Sequence, residues 1–561
     1  MDEEHVVGVE NEVGIVAVVE NNVEEELLEA SGGNGRPGRE RRAPSHLRDY
    51  DLSTEDEVTE ADVTHVDVCR LVKVLSTDDV ADVCLMANNH IHTVPKTYNQ
   101  AVNSENSSDW KTAMDDEYDS LKENDTFEIV PLPEGKKLVG GRWVFAIKET
   151  SGSEEHYKAR YVAKGFTQEH GTDYFETFSP TAKMSSIRIM MQIAANSGLT
   201  VHQMDVKTAF LNAPIDCEIY VRQPEGYEVR GDNGRMLVLR LNKSLYGLKQ
   251  SGRNWNSLLH KFFVSNKFIQ SALDPCVYIL RVKDNSIIVL VWVDDLLLAA
   301  SSGRLLDKIK NTLKSAFKMK DLGPISFFLG MRIIQHPNKI EIDQSDYLKK
   351  VLVKFGMQDS KTRSTPCEVN PAAFDTDIST KSSTDYRRVV GSLIYAMVCS
   401  RPDLSWVVTK LSQSLSQPRK GDWIMIKHVL QYIRGSLNKK LVYRKCGALD
   451  LHGFCDSDWA GTGSSSDRRS TTGYCFMLNQ NGPPVSWKSQ KQATVALSSC
   501  EAEYMSLCDA AKEAKFLDMI MSDFAPGISF RPIRIHVDNT GAIALGKNNI
   551  VTKRSKNIDI R

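Results

Sequence analysis

The chain has 561 residues, of which 41% are apolar and 25% charged, and its formal net charge is −2. A chain of this length and apolar content is expected to fold as several domains. It has no apolar run of the roughly 18 residues that a membrane-spanning helix needs, and its acidic start lacks the basic-then-apolar order of a signal peptide, so a membrane-spanning or secreted protein is not expected.

The eleven cysteines lie far apart, and none of them forms a Cys-x-x-Cys pair. Neither a disulfide framework nor a zinc knuckle is therefore supported. We expect reduced thiols in an intracellular compartment.

The charge is distributed unevenly along the chain. Residues 1–95 hold 22 acidic and 7 basic side chains, whereas the remaining 466 residues hold 50 acidic and 63 basic ones. We predict that 1–95 is an acidic, largely disordered leader, because it is rich in charge and contains the flexible run Ser31–Gly38. The basic body has two interpretations, an ordinary solvated surface or a surface that meets phosphates, and charge alone does not decide between them.

The first regular elements follow the leader. Asp109–Leu121 has helical periodicity, with Asp109 as the expected N-cap and an apolar face that we assign to packing. That face consists of Trp110, Met114, Tyr118 and Leu121. Strands are predicted over Arg142–Lys148 and His156–Lys164, and the alternating basic residues of the second strand indicate one cationic face.

An acidic pair interrupts the richest apolar segment, Ile287–Ala300. Two apolar runs around Asp294 and Asp295 predict a β-hairpin whose tight turn presents both carboxylates. A lone Asp-Asp pair of this kind is most often a plain exposed turn. A third carboxylate, Asp205 on a neighbouring strand end, would instead complete an oxygen cage of the kind that Mg²⁺ accepts.

Several stretches together resemble the reverse transcriptase of copia-type LTR retrotransposons. The resemblance runs from about Trp110 to the C-terminus with order and spacing kept. Its motifs are Gln203–Asn212 (QMDVKTAFLN), Leu245–Gln250 (LYGLKQ), Val293–Asp295 (VDD), Tyr157–Phe166 (YKARYVAKGF), Glu176–Pro180 (ETFSP), Gly391–Tyr395 (GSLIY) and Arg401–Asp403 (RPD).

This resemblance implies an α+β fold, a right-hand polymerase with fingers, palm and thumb, followed by an RNase H-like α/β domain. The implied domains are fingers and palm over 96–340, thumb and connection over 341–445, and RNase H over 446–561. The implied activity is that of an RNA-directed DNA polymerase, a nucleotidyltransferase that joins a dNTP to a primer 3′-hydroxyl. It would use two Mg²⁺ ions at each active site, with Mn²⁺ as a substitute.

By motif, Asp205 and Asp294 would be the metal ligands of the polymerase site, with the Asp295 carboxylate beside them. Phe210, five residues after Asp205, would screen the sugar 2′-position and exclude a ribose hydroxyl by overlap. Without the motif, Phe210 is more simply a core phenylalanine.

The resemblance also implies which residues would bind the nucleotide. Lys158 and Arg160 would approach the incoming triphosphate, because fixed positive groups suit phosphate oxygens. Tyr246, Gly247 and Lys249 would line the nucleotide and template side. Taken singly, each of these residues is an ordinary surface residue.

A second acidic set lies near the C-terminus. Asp456 on a strand, Glu501 or Glu503 in the first turns of a helix, and Asp538 at the end of another strand form the layout of a second two-metal site. Alternatively, the two glutamates are acids that favour a helix N-terminus. With Arg469–Tyr474 (RSTTGY) and Val485–Gln490 (VSWKSQ), the segment resembles the copia-type RNase H domain. Glu503 is the preferred catalytic acid and Glu501 the runner-up.

The chain departs from the family pattern at four places. Trp292 stands where tyrosine usually precedes the Asp pair, and Gly252 stands in place of a proline. Asn557 replaces a histidine in Lys556–Arg561, where the chain stops before a closing helix that carries a fourth acidic residue. We therefore expect a truncated RNase H domain that cuts weakly, if at all.

The protease, nucleocapsid and integrase motifs of such elements are absent, so the chain resembles the 3′ part of a Pol polyprotein that begins after the integrase. The implied partners are an RNA template, a DNA primer, the RNA/DNA hybrid, dNTPs and the other Gag and Pol products that serve DNA integration, with no membrane. The implied location is a cytoplasmic virus-like particle with nuclear entry. Two rival hypotheses are a non-catalytic nucleic-acid-binding remnant of a decayed element and a nuclease alone.

Overall fold

The computed structural model describes residues 94–149, 155–232, 234–368, 382–461, 467–528 and 530–547, together with the backbone of a strand at Ile15–Val18. The rest of the predicted leader, and the predicted ending at Lys556–Arg561, lie outside the described residues. The helices, α1 to α12, are Tyr98–Val102, Ser107–Glu123, Met184–Ser197, Ala209–Asn212, Ser251–Ser265, Gly303–Ala316, Ser345–Lys354, Ser383–Cys399, Ser405–Ser412, Lys420–Gly435, Ser499–Phe524 and Thr540–Lys547.

The strands, β1 to β21, are Ile15–Val18, Phe127–Pro131, Leu138–Val139, Gly141–Glu149, Glu155–Ala163, Thr200–Val206, Tyr220–Val221, Leu237–Leu241, Ile269–Gln270, Val277–Val282, Asn285–Trp292, Asp295–Ala300, Met319–Pro324, Phe327–Phe328, Met331–His336, Lys339–Asp343, Leu441–Arg444, His452–Ser457, Thr471–Met477, Pro484–Lys491 and Arg534–Val537. This mixture of helices and sheets confirms the α+β class.

The chain forms two compact units. Of the described residues, unit A comprises those within 94–183 and 199–325, and unit B comprises Ile15–Val18 and those within 184–198 and 326–547. The predicted domain boundaries at 96–340, 341–445 and 446–561 stay a prediction.

Unit A is built on a six-stranded antiparallel sheet with the order β13-β6-β12-β11-β10-β9. Residues Ile287–Val291 of β11 and Leu296–Ala300 of β12 are buried, as expected for strands that are apolar on both faces. Helix α6 packs against these two strands. Its buried Leu306, Ile309 and Leu313 recur every three or four residues, which places them on one face.

The predicted helix of the N-terminal region is confirmed as α2, and its four predicted face residues are all buried. The predicted cap is wrong, because the helix begins earlier, with Asn106 as its N-cap. Asp109 instead lies in the first turn, where a negative charge favours the helix dipole. The two predicted strands are confirmed as the β4–β5 hairpin, and α2 packs on β5.

Unit B contains a five-stranded sheet, β1-β21-β18-β19-β20, in which β18 and β21 are parallel and the other pairs antiparallel. The unit also contains a four-stranded sheet, β14-β15-β16-β17, and a helical core that includes α7 to α10. Among the described residues, no helix combines the length and apolar character that crossing a membrane would require.

Helix α3 belongs to unit B although unit A precedes and follows it in sequence. It packs against β16, β17 and β20, and its residues Ser186–Ala195 are all buried. The Arg188 guanidinium donates to the Val485 carbonyl at 3.1 Å and lies 3.6 Å from the centre of the Trp487 ring. These contacts offset part of the cost of burying the charge, although Arg188 Nε has no hydrogen-bond partner among the described residues.

We predict that an ion pair between a buried lysine and a partly exposed aspartate makes the stability of unit A depend on acid pH. Lys310 Nζ lies 2.8 Å from Asp321 Oδ1 and 2.6 Å from His202 Nδ1. Burial acts to raise the pKa of Asp321, but hydrogen bonds from Lys310, the Gly323 amide and Lys314 lower the pKa to about 2. Since the folded-state pKa lies below the ordinary 3.8, the stabilisation is complete above about pH 4 and is lost as the pH falls towards 2.

The Asp321→Asn variant should therefore unfold at lower urea at pH 7, by about 1–2 kcal/mol, and should show a flatter acid dependence than the wild type. Asp284→Asn, in an exposed turn of the same unit, is the matched control and should change neither value. Equal urea midpoints for the Asp321→Asn variant and wild type at pH 7 would contradict the prediction.

Candidate functional site

A two-residue turn, Val293–Asp294, joins β11 to β12. The Val206 amide donates to the Asp294 carbonyl at 2.9 Å, and the Trp255 indole donates to the Val293 carbonyl at 2.7 Å. The tip of the hairpin is thereby held against the end of β6. The predicted hairpin is confirmed, with Asp294 in the turn and Asp295 as the first residue of β12.

The third predicted carboxylate lies beside this turn. Asp205 is the cross-strand partner of Asp295 in the β6–β12 pair, so the two side chains project from the same face of the sheet. The Gln203 side-chain amide, two residues earlier on β6, donates to Asp295 Oδ1 at 3.0 Å. The structure thus brings Asp205, Asp294 and Asp295 to one edge of the sheet.

Opposing charges act on the Asp294 carboxyl. Burial raises its pKa, a hydrogen bond from its own backbone lowers the pKa, and the nearby Asp205 raises it. Arg160 and Lys158 act in the opposite direction. The edge therefore concentrates negative charge within reach of cationic side chains, an arrangement suited to divalent cations and phosphates.

The two predicted phosphate-binding residues lie on β5. Lys158 and Arg160 are partly exposed and alternate with buried Ala159 and Tyr161, which agrees with the predicted cationic face. The Arg160 guanidinium lies 3.5 Å from the Glu117 carboxylate and 4.3 Å from the centre of the Tyr246 ring. Arg160 is therefore held by an ion pair and by a cation–π contact.

Two aromatic rings, those of Tyr246 and Phe210, extend the cluster that Arg160 and Glu117 begin. The Tyr246 and Phe210 ring centres are 4.8 Å apart. Phe210 lies on α4, the short helix that follows β6, and is only partly buried, so it is not a core phenylalanine. Burial raises the pKa of Tyr246 to about 12, with Arg160 opposing the rise and Asp294 adding to it. The tyrosine is thus a neutral ring between the cationic strand and the carboxylates.

The 245–250 loop docks on the end of β5. The Ala163 amide donates to the Tyr246 carbonyl at 2.8 Å, and the Lys249 amide donates to Gln168 Oε1 at 2.8 Å. Gly247 has φ +90, and a Cβ there would overlap the Ala163 carbonyl oxygen. Only glycine meets both conditions without strain, so Gly247 has a packing reason to be in the motif. Lys249 Nζ donates to the Tyr174 hydroxyl at 3.1 Å.

Two of the departures from the family pattern, Trp292 and Gly252, lie in regular secondary structure near this site. Trp292 is a buried residue at the end of β11. Gly252 lies in the first turn of α5.

The carboxylates of the second acidic set lie closer together than those of unit A. Asp456 lies near the end of β18, Glu503 in the first turns of α11, and Asp538 directly after β21. Among the residues that the structure describes, these three form the one group of potential metal ligands whose donor atoms all lie within 4.8 Å of one another. The three predicted elements are confirmed.

The charges of this second set favour a cation. Burial and the charges of Asp456 and Asp538 raise the pKa of Glu503 to about 8, although the Ser457 amide opposes the rise. Glu503 Oε2 is buried and has no hydrogen-bond partner among the described residues. An all-carboxylate set with one buried oxygen left unsatisfied fits a hard divalent cation such as Mg²⁺.

The structure separates the two alternative glutamates. Glu501 Oε2 accepts from the Leu497 amide at 2.7 Å, and the Glu501 amide donates to Ser498 Oγ at 3.2 Å. These two bonds form a capping arrangement at the start of α11. Glu501 therefore caps the helix, while Glu503 lies with Asp456 and Asp538.

Sequence reasoning missed Glu117 and Gln203. Glu117 lies on the buried face of α2, between the predicted packing residues Met114 and Leu121. A charged residue within an apolar stripe is the signal that could have found it. Gln203 opens the motif Gln203–Asn212, but nothing in the sequence showed that its side chain would meet Asp295.

The chain is similar to known proteins of one family. The family described as reverse transcriptase (RNA-dependent DNA polymerase) matches residues 124–369. The Pol polyprotein of transposon TNT 1-94 from Nicotiana tabacum is 39% identical over 460 residues, which are 80% of this chain and 34% of the relative. A transposon Ty5-1 protein of Saccharomyces cerevisiae is 34% identical over 314 residues, which are 55% of this chain and 100% of the relative. The chain belongs to the copia-type reverse transcriptase family.

The predicted resemblance is thus confirmed. The Pol polyprotein of transposon RE2 from Arabidopsis thaliana is a further relative, 35% identical over 468 residues, or 83% of this chain and 31% of its own length. The chain spans about a third of the length of the Pol polyproteins that it matches. The family match includes both the carboxylates of unit A and the cationic strand beside them.

We predict that Gly247→Ala disrupts the docking of the 245–250 loop on β5. It should lower the free energy of unfolding by about 1–3 kcal/mol, because the new Cβ would combine a positive φ with overlap of a backbone oxygen. Gly171→Ala is the matched control, since Gly171 has φ +87 but nothing within 4 Å of a Cβ. Urea unfolding would measure both variants, and an equal loss in the two would show that the close approach is unimportant.

We also predict that Mn²⁺ binding to the second acidic set strengthens as the pH rises through about 8. Below that pH, Glu503 holds a proton that the cation must displace. Isothermal titration of an Asp294→Asn variant, which lacks one carboxylate of unit A, isolates this set. Adding Glu503→Gln should weaken binding and remove its pH dependence.

The control for this titration is Glu501→Gln, which should lower the melting temperature by weakening a helix cap but keep the pH dependence. The opposite result, with Glu501→Gln abolishing the dependence and Glu503→Gln keeping it, would reverse the assignment.

Proposed function

We propose that this chain is an RNA-directed DNA polymerase that transfers a nucleotide from a dNTP to a primer 3′-hydroxyl at the edge formed by Asp205, Asp294 and Asp295. The observation that carries the proposal is the position of these carboxylates at the end of β6 and the hairpin tip, facing the cations of β5. Family membership supports the same conclusion.

Asp205 and Asp294 would hold Mg²⁺, and Asp295 would lie beside them. When bound, the ions would supply activation of the primer hydroxyl and charge stabilisation of the leaving pyrophosphate. The raised pKa of Asp294, caused by burial with Asp205 adding to it, supports this assignment, because a cation would relieve the repulsion. Gln203 would orient Asp295 through its hydrogen bond.

The remaining residues of the cluster would bind the incoming nucleotide. Lys158 and Arg160 would bind the triphosphate oxygens, and Tyr246 would support both Arg160 and Phe210 through its ring. The partly exposed Phe210 ring would occupy the space of a ribose 2′-hydroxyl and so select dNTPs. Gly247 would let the loop approach β5, and Lys249 would face the template side.

In the right-hand description, the six-stranded sheet of unit A would be the palm, and the β4–β5 hairpin with α2 would be part of the fingers. The helical core of unit B would serve as thumb and connection, over about 341–445. The five-stranded sheet with α11 would be the RNase H-like domain, over about 446–561. Its element order, strand, helix and strand around three acids, supports this assignment.

A second activity, cleavage of the RNA strand of an RNA/DNA hybrid, would reside at Asp456, Glu503 and Asp538. Its support is the convergence of their donor atoms and the unsatisfied Glu503 oxygen. The proposed partners are the template, the primer, the hybrid and dNTPs, together with Gag and other Pol products in a cytoplasmic particle.

The test is primer extension on poly(rA)/oligo(dT) with Mg²⁺. The wild type should extend the primer, and the double variant Asp294→Asn, Asp295→Asn should fall below about 10⁻³ of its rate because two of the three carboxylates are lost. Asp284→Asn, at an exposed turn of the same sheet, should retain the wild-type rate.

The double variant keeps the second acidic set. If the wild type cleaves the RNA strand of the hybrid, the double variant should therefore cleave it too, and this result would separate the two proposed activities. A folded wild type that binds the hybrid but extends no primer would contradict the polymerase proposal. That result would favour a nucleic-acid-binding remnant.

A further inference from the structure

A buried carboxylate lies directly behind the proposed triphosphate site. Glu117 of α2 is only 6% exposed. Its Oε2 lies 3.5 Å from Arg160 Nη1, and its Oε1 accepts from the Tyr161 amide at 3.3 Å. An isolated buried carboxylate is costly, so these partners on β5 explain how it is tolerated in an apolar face.

The charge of Glu117 depends on this strand. Burial raises the pKa of the Glu117 carboxyl, and Arg160, the Tyr161 amide and Lys158 oppose the rise. A glutamine could accept the amide hydrogen bond equally well. The negative charge matters for the interactions with Arg160 and Lys158, and the Arg160 ion pair at 3.5 Å is the contact that places this charge on a specific group.

Arg160 is restrained on a second side. Its guanidinium lies 4.3 Å from the Tyr246 ring centre, and that ring packs on Phe210. The Arg160 side chain is nevertheless 24% exposed. A guanidinium has five N–H donors, so Arg160 can keep its contact with Glu117 and still present donors to a ligand.

We propose that Glu117 is a positioning residue for the incoming nucleotide: it holds the Arg160 guanidinium against the Tyr246 ring in the orientation that meets the triphosphate. This inference rests on the proposed polymerase function. It assigns no contact between Glu117 and substrate. Glu117 acts through Arg160, which is otherwise a long side chain that would lose rotamer freedom on binding phosphate.

The experiment measures primer extension on poly(rA)/oligo(dT) with Mg²⁺ at varied dTTP concentration. Glu117→Gln should raise KM for dTTP about tenfold and leave kcat within about threefold, as expected for the loss of a charge-assisted contact that orders a binding group. In an Arg160→Ala background, Glu117→Gln should cause no further change. Asp119→Asn, on the same helix with a side chain that is 70% exposed, is the matched control and should match the wild type.

Three results would overturn the proposal. A lower melting temperature with unchanged KM would make Glu117 a packing residue only. A further rise in KM in the Arg160→Ala background would show that Glu117 does not act through Arg160. If Glu117→Gln fails to fold, Glu117→Asp keeps the charge but withdraws it by one methylene, and an unchanged KM in that variant would overturn the proposal equally.

A second readout distinguishes failure of this inference from failure of the proposed function. The affinity for dTTP is measured on the protein bound to a dideoxy-terminated primer on the same template, where no turnover occurs. Binding that weakens in Glu117→Gln, with no extension by the wild type, would sustain the role of Glu117 and overturn the polymerase activity. Absence of both binding and extension in the wild type would overturn both.

Discussion

The pairing of β6 with β12 is the constraint on which the site in unit A depends. It sets Asp205 opposite Asp295, and the bond from the Val206 amide to the Asp294 carbonyl fixes the hairpin tip at the same level. A slip of one residue would move side chains to the opposite face and would draw a carboxylate towards the buried run Leu296–Ala300. The cost of burying that charge keeps the acids together at the edge of the sheet.

The two acidic sets differ in what offsets the repulsion between their carboxylates. In unit A, Lys158 and Arg160 on β5 offset the charges around Asp294. In unit B, the repulsion appears as a pKa of about 8 on Glu503, raised by burial and by two neighbouring aspartates. Glu503 therefore changes its charge at mildly alkaline pH, whereas the rise in the pKa of Asp294 that burial and Asp205 cause is opposed by two fixed cations.

Helix α3 shows that neighbours in sequence need not share a unit. The chain leaves unit A after Lys183, and α3 packs within unit B through its buried residues Ser186–Ala195. The chain then returns to unit A with β6, which carries Asp205. A helix buried on nearly all sides needs partners all around it. The sheets of unit B supply them, and the Arg188 contacts with Val485 and Trp487 add a polar restraint.

The sequence was sufficient to predict several of the elements and the family. Periodicity located α2 and the β11–β12 hairpin, and motif order identified the reverse transcriptase. It did not determine the pairing of Glu117 with Arg160, the cap at Asn106 or the placement of α3. The motif favoured Glu503 over Glu501, and the structure supplied the contacts that separate the two. The physical reason is that periodicity records which face of an element is buried, whereas the partner on that face is set by packing between residues distant in sequence. Those contacts became visible once the elements were placed against one another.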